Sequence, residues 1–220
     1  MTTQTANPGD LVVTAVHHLF DSGVMSHSGH ANLSARLDAE RFALTTTGMV
    51  RDLRPDQLAT VNLDGEVLER ALGPENAEIV AMHSVIYKAR PDVGGIIHTH
   101  SPSATAFALA NRELPCRAEP LLRFGQAEPV PVVDWGPRGS DVSVRGIAAS
   151  LDEHPTTSAV LLANHGLLAF AADPLAAARV VVAIEEAAEA ELAAAVIGGA
   201  VDFPAGALDA VRASMARVQS

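Results

Sequence analysis

A short apolar run ending in two histidines constrains this chain most: Gly94-Gly95-Ile96-Ile97-His98-Thr99-His100-Ser101-Pro102. A run this short, stopped by proline, reads as a strand. The side-chain period of two then puts His98 and His100 on one face, about 6.5–7 Å apart along the chain. Two imidazoles projecting side by side from a rigid edge can share one divalent ion. Taken alone, the pair could equally be polar side chains hydrogen-bonded at a strand end, and the rest of the chain has to decide.

The segments before it form one helix and then strands. Pro8-Gly9-Asp10 opens an amphipathic helix through Leu11, Val12, Ala15, Val16, Leu19 and Phe20, with Asp10 expected as its N-cap. Residues 26–31 form a polar loop entering an alternating strand, with Asn32, Ser34 and Arg36 on one face. That face is either a solvated surface or a substrate-binding wall. Residues 41–45 read as a paired strand. The following turn, Thr46-Thr47-Gly48, offers hydroxyls and close backbone approach to an anion or carbonyl oxygen. Two further strand patterns flank Leu63-Asp64-Gly65, a hairpin signal. The first third is therefore mainly antiparallel strands after one helix.

Residues 74–90 then read as a helix, with Asn76 as its cap, an apolar stripe of Ile79, Met82 and Ile86, and Pro91-Asp92 beyond its end. Glu78 falls in the first turn, where the helix dipole favours a carboxylate and holds it in a defined direction; charge complementation alone is the other reading. His83 reads as structural. Past the histidine strand, residues 103–110 are helical. Residues 113–140 are irregular, rich in Pro, Gly and Arg, and include Arg123 and Arg138; a connection this long inside a compact domain is usually functional. After a helix at 143–151, the apolar run 159–163 marks a strand buried on both faces. Asn164-His165-Gly166 interrupts it before Leu167, and a buried histidine must be paired or metal-bound. Residues 174–196 form the longest helix, apolar round much of its circumference, which suits the core or a subunit contact. No repeat or linker divides the chain, so residues 1–220 read as one α/β domain, with its core at about 10–200.

Bulk properties exclude several functions. The net charge of −11, from 15 Lys and Arg against 26 Asp and Glu, leaves no basic patch for nucleic acid. One cysteine, Cys116, permits no intrachain disulfide and too few thiolates for a metal cage, so any metal is held by histidine and carboxylate and a reducing cytoplasm is the expected home. The polar start, Met1 to Asp10, lacks a signal-peptide pattern. Glutamates at 185, 186, 189 and 191 break the most apolar helix, so no membrane span is expected.

Three histidines at strand edges are enough for a tetrahedral divalent ion with an open position, and Glu78 could move a proton beside it. Here the sequence resembles the class II aldolase/adducin family, which includes the fuculose-phosphate and ribulose-phosphate enzymes. The resemblance is carried by Asn32-Leu33-Ser34-Ala35-Arg36, Thr47-Gly48, Ala77-Glu78 with Met82-His83 and Tyr87, and Arg90-Pro91. His98-Thr99-His100-Ser101-Pro102 and Asn164-His165-Gly166 complete it. It implies a central, mainly antiparallel β-sheet flanked by helices, assembled as a homotetramer with active sites between subunits. It also implies His98, His100 and His165 as metal ligands and Glu78 as acid/base. The metal is commonly zinc, with manganese, cobalt or iron in some members. The reaction implied is carbon–carbon lyase chemistry of aldolase type, on a small hydroxy- or oxo-substrate, through a metal-stabilised enediolate. Asn32, Ser34, Thr47, Gly48 and Asn76 would line the substrate.

Three departures bear on that substrate. A serine pair before the catalytic glutamate helps the sugar-phosphate enzymes bind phosphate, and Asn76 and Ala77 stand there instead. Ala31 replaces the glycine before Asn32, with His30 added just upstream. The only tyrosine, Tyr87, lies in the helix, where it is no evident proton donor. An unphosphorylated or carboxylated substrate is therefore expected, with Arg138 or Arg123 able to grip a carboxylate in bidentate fashion. Relatives that decarboxylate aromatic dicarboxylates carry a Gly-His near the first motif, as Gly29-His30 does here. A metal-dependent decarboxylase of a hydroxylated aromatic or keto acid is thus the second reading, and a non-catalytic adducin-like interaction domain the third.

Overall fold

The computed structural model describes residues 7–218. Most of the polar start, residues 1–6, and the last two residues of the tail lie outside the described residues. Helix α1 (Pro8–Asp21) leads into strands β1 (Ala31–Arg36), β2 (Arg41–Thr45), β3 (Leu58–Asn62) and β4 (Val67–Glu69). Helix α2 (Ala77–Ala89), strand β5 (Gly95–Thr99) and helices α3 (Pro102–Leu109) and α4 (Glu119–Arg123) follow. The second half holds β6 (Val132–Val133), α5 (Val142–Glu153), β7 (Ala159–Leu162), β8 (Gly166–Ala171), α6 (Pro174–Ala195) and α7 (Ala207–Val218).

The strands form one eight-stranded sheet in the order β4-β3-β2-β1-β5-β8-β7-β6. Every pairing is antiparallel except the edge pair β6–β7, which is parallel. The histidine strand β5 thus lies near the middle, laddered to β1 and β8, and each of its residues is buried. Its alternating side chains feed two cores. Ile97 joins Leu33 and Ala35 under α1, α3 and α6, while Ile96 joins Phe42 and Phe170 under α2 and α5. The molecule is therefore an α/β domain with helices on both faces of a mainly antiparallel sheet, the fold class expected.

Helix starts depart from expectation for local reasons. Asn7, not Asp10, caps α1: its side chain accepts the Gly9 N–H at 3.0 Å, and Asp10 falls within the first turn. Pro8 at the first helical position has no N–H to satisfy, which moves the cap to the residue before it. Asn76 precedes α2 but does not cap it. A 3-10 turn at Pro74–Asn76 has already put Asn76 in helical geometry (φ −90°, ψ −2°), and its amide donates to the Gly73 carbonyl at 3.3 Å instead. The first part of α6 is buried as expected, but Leu192 and Val196 at its end are 44% and 85% exposed. No described helix is long and apolar enough to cross a membrane.

Helix α2 meshes with β1 because two periods nearly coincide. Four helical residues rise about 6 Å and two strand residues about 6.6 Å. His83 and Tyr87 therefore meet Asn32, Ser34 and Arg36 in order. Ser34 Oγ lies 2.7 Å from His83 Nδ1 and 2.8 Å from the Tyr87 hydroxyl. Arg36 donates to the carbonyls of Val93, Tyr87 and Arg90, with its guanidinium 4.6 Å from the Tyr87 ring centre. The polar face of β1 is thus largely covered by α2 rather than solvated: Asn32 and Ser34 are 7% and 0% exposed.

Candidate active site

Strands β5 and β8 bring the three histidines together. His98 and His100 share one face, and His165 closes the tight turn between β7 and β8. One ligand nitrogen from each of the three lies within 4.8 Å of the others. His98 Nε2 and His165 Nε2 are 3.2 Å apart. Two nitrogens bound about 2.05 Å from one tetrahedral ion would stand ~3.3 Å apart, so the spacing fits a shared metal. His98 Nδ1–H donates to the Leu167 carbonyl at 2.9 Å, fixing the ring and leaving the Nε2 lone pair toward its neighbours. Burial, and then the neighbouring rings, pushes His98 well below the usual histidine value; burial and His165 lower His100 in the same way. His165 is also lowered by desolvation, partly opposed by Glu78. Neutral imidazoles are what a metal needs as ligands. The triad could hold a divalent ion with a position left open for substrate.

The backbone around the triad is specialised for this convergence. A Cβ on Gly166 would lie 2.5 Å from the Thr99 carbonyl oxygen and 2.9 Å from His100 Cδ2, so only glycine lets the β8 backbone pass under the rings. Asn164 takes the left-handed conformation (φ 58°) that turns the chain into His165, and its N–H is tied to the Ala108 carbonyl at 3.0 Å. Glu185, 7% exposed on α6, accepts the N–H groups of Ser103 and Ala104 at 2.7 and 2.8 Å. It anchors the start of α3, immediately after the histidine strand.

The charge of Glu78, partly exposed in the first turn of α2, favours the protonated form of His165, while that of Arg138 disfavours it. The Gly139 N–H donates to Glu78 Oε2 at 3.1 Å, and Arg138 donates to the Glu75 carbonyl at 3.0 Å. The irregular loop around residue 138 is therefore clamped onto the start of α2. On the other side, Asn32 faces His98 across the β1–β5 ladder, and continuing that register puts His30 opposite His100. His30 bridges to Met49, and a Cβ on Gly48 would come within 3.3 Å of its ring, so the Thr47-Gly48 turn adjoins this edge. Thr47 Oγ1 itself accepts the Met49 N–H at 3.1 Å.

Two expected substrate contacts do not hold within the chain. Ser34 is fully buried, its hydroxyl engaged by His83 and Tyr87. Arg123 lies on α4, across the sheet from α2, where its guanidinium pairs with Glu119 at the surface. The burial of His83 and its bond to Asn32 Oδ1 at 2.7 Å, and the bonds made by Glu185, were not legible as site features. The one signal was spacing: 83 and 87 on a helix, 32 and 34 on a strand.

Comparison with known proteins identifies the family. Residues 10–192 match the family described as Class II Aldolase and Adducin N-terminal domain. A methylthioribulose-1-phosphate dehydratase of Pseudomonas syringae pv. syringae (strain B728a) is 30% identical over 195 residues, covering 82% of this chain and 92% of its own length. A 3-oxo-tetronate 4-phosphate decarboxylase of Haemophilus influenzae is 31% identical over 170 residues, 73% of this chain and 76% of its own. Among solved structures, an L-fuculose 1-phosphate aldolase superposes with a TM-score of 0.82 at 23% identity, covering 96% of this chain and 97% of that one. Sequence and architecture agree: the chain belongs to the class II aldolase and adducin family and is an enzyme of the class II aldolase type.

Proposed function

We propose that the chain is a divalent-metal lyase that breaks a carbon–carbon bond by aldol chemistry in a small hydroxy-oxo substrate. The observation that supports this is the convergence of His98, His100 and His165 within 4.8 Å, with the charge of Glu78 acting on His165. Three neutral imidazoles suit zinc first, and manganese, cobalt or iron after it; once bound, the ion would supply a Lewis acid for a substrate oxygen. Glu78 takes the proton from the substrate hydroxyl as the adjacent carbon–carbon bond breaks. An aldehyde leaves, the electron pair stays on the carbonyl fragment, and Glu78 returns the proton to carbon. Asn32 and the Thr47-Gly48 turn line the substrate on the β1 side. Arg138 and Asn76, at the start of α2, face an anionic end of it. The assembly proposed is a homotetramer with sites between subunits, which fits Met49 and Trp135 being 57% and 60% exposed on segments that border the site. A reducing cytoplasm fits the single cysteine.

A dehydratase is the second reading, favoured by the relative of that name that matches over 82% of this chain. A decarboxylase is the third. All three reactions develop negative charge beside a carbonyl, so one site can serve any of them. The test incubates zinc-loaded protein with 2-ketoses, their 1-phosphates, and hydroxylated aromatic or keto acids. An aldehyde plus a ketone or keto acid supports the lyase; water loss or CO₂ release assigns the second or third reading. Absence of metal-dependent turnover across the panel would count against all three readings. The ligand assignment fails if a variant with all three histidines replaced by alanine retains one equivalent of metal.

A further inference from the structure

The buried polar chain between β1 and α2 has a direction, and that direction reaches the site. Asn32 Oδ1 lies 2.7 Å from His83 Nε2; a carbonyl oxygen only accepts, so Nε2 carries the proton. Complete burial pushes His83 down to about 3, so the ring is neutral and its Nδ1 is an acceptor. Ser34, 2.7 Å away, therefore donates its one proton to Nδ1, and the Tyr87 hydroxyl at 2.8 Å donates to Ser34.

The opposite direction would have the Asn32 amino group donating to Nε2, Nδ1–H donating to Ser34, and Ser34 donating to Tyr87. The far end decides between them. Tyr87 is 1% exposed and Ser34 is its hydroxyl's one partner among the described residues. In the reversed chain the Tyr87 O–H would be a buried donor without an acceptor, which protein interiors avoid. The forward chain finds an acceptor for each proton of Tyr87, Ser34 and His83, commits the Asn32 carbonyl to His83, and leaves without an acceptor only the Asn32 amino group at the chain's less buried end.

We propose that Tyr87, Ser34 and His83 are positioning residues that lock the Asn32 carboxamide with its amino group toward the histidine triad, where it presents a fixed N–H donor to an oxygen anion of the substrate. Asn32 stands directly across from His98 in the β1–β5 ladder, so both side chains leave the same face of the sheet. Asn32 is 7% exposed, and no side chain or backbone group among the described residues accepts from its amino group. A preoriented donor of this kind favours a group that gains negative charge during reaction over a neutral hydroxyl, which would also need an acceptor. The inference rests on the lyase reading for its substrate and on the hydrogen-bond chain alone for its geometry.

The test has two arms. Long-range nitrogen–proton spectra of protein carrying ¹⁵N-histidine read the His83 tautomer without any variant or metal. The Nε2–H form is expected, and the Nδ1–H form overturns the proposal. In the second arm, zinc-loaded protein is titrated with glycolohydroxamate, a planar mimic of a deprotonated hydroxy-carbonyl. Asn32→Asp, which exchanges the donor for an acceptor, should weaken binding about 10²-fold. Ser34→Ala and Tyr87→Phe should weaken it about 10-fold, with zinc content unchanged. Equal affinity in Asn32→Asp, or weakening that merely tracks lost zinc, overturns it. Parental protein that takes up no zinc sinks the lyase reading instead, and the tautomer spectrum still judges the lock.

Discussion

His98 leaves backbone laddered on both sides, between β1 and β8, whereas Glu78 leaves the first turn of a helix and meets a loop through one N–H at 3.1 Å. The first wall is closed by the core: β5 is buried throughout, Gly166 admits no side chain, and Glu185 pins the next helix from behind. The second wall is polar and half-open to water, with Arg138 and Gly139 supplied by an irregular connection. The difference teaches a division of labour. His98 is fixed by the same ladder contacts that fix the sheet, so it cannot shift without disturbing them. The Glu78 side can be altered by changing a loop at little cost to stability.

Four experiments can break or sharpen that contrast. Stripping the metal with a chelator should abolish turnover and lower the unfolding free energy by about 3–4 kcal/mol relative to protein held with metal at 10²–10³ times its Kd. Zinc should restore both, as read by urea denaturation and assay. Glu78→Gln should lose about 10²–10⁴-fold in kcat while metal content and Tm stay at parental values. A drop in Tm of several degrees would place Glu78 on the structural wall. Gly166→Ala belongs to the opposite side of the comparison: overpacking against Thr99 and His100 should cost about 1–3 kcal/mol and reduce metal stoichiometry. A stable, fully loaded variant would mean the rings have more freedom than their spacing implies. Glu185→Gln should have the smallest effect, about 1–2 kcal/mol in urea midpoint analysis with metal retained. The amide can accept one of the two N–H groups at the start of α3 but turns its own donor toward the other.

Much of the first wall was legible in sequence, because strands announce themselves locally. The apolar run before His98, the stop at Pro102 and the buried run broken by Asn164-His165-Gly166 are contiguous patterns. Glu78 was readable as a first-turn carboxylate for the same reason. What stayed hidden depends on pairing between distant segments. Ser34 looks like a solvent- or substrate-facing serine until α2, some fifty residues later, covers it with His83 and Tyr87. Glu185 looked like a charge that merely breaks an apolar helix, because its two N–H partners lie 82 and 81 residues earlier in the chain. Asn7 was missed in favour of Asp10 because both residue types cap helices and only the position of Pro8 distinguishes them.

One consequence of α2 concerns error rather than chemistry. The same helix carries Glu78 at its start and His83 and Tyr87 in its body. If thermal motion, a distant mutation or subunit packing slides α2 along β1, the carboxylate and the lock on Asn32 travel together. Their offset from one another is then set by helical rise alone and is immune to the slide, while their shared distance from the triad absorbs all of it. Such common-mode displacement would show as a uniform change in rate across substrates rather than a change in preference among them.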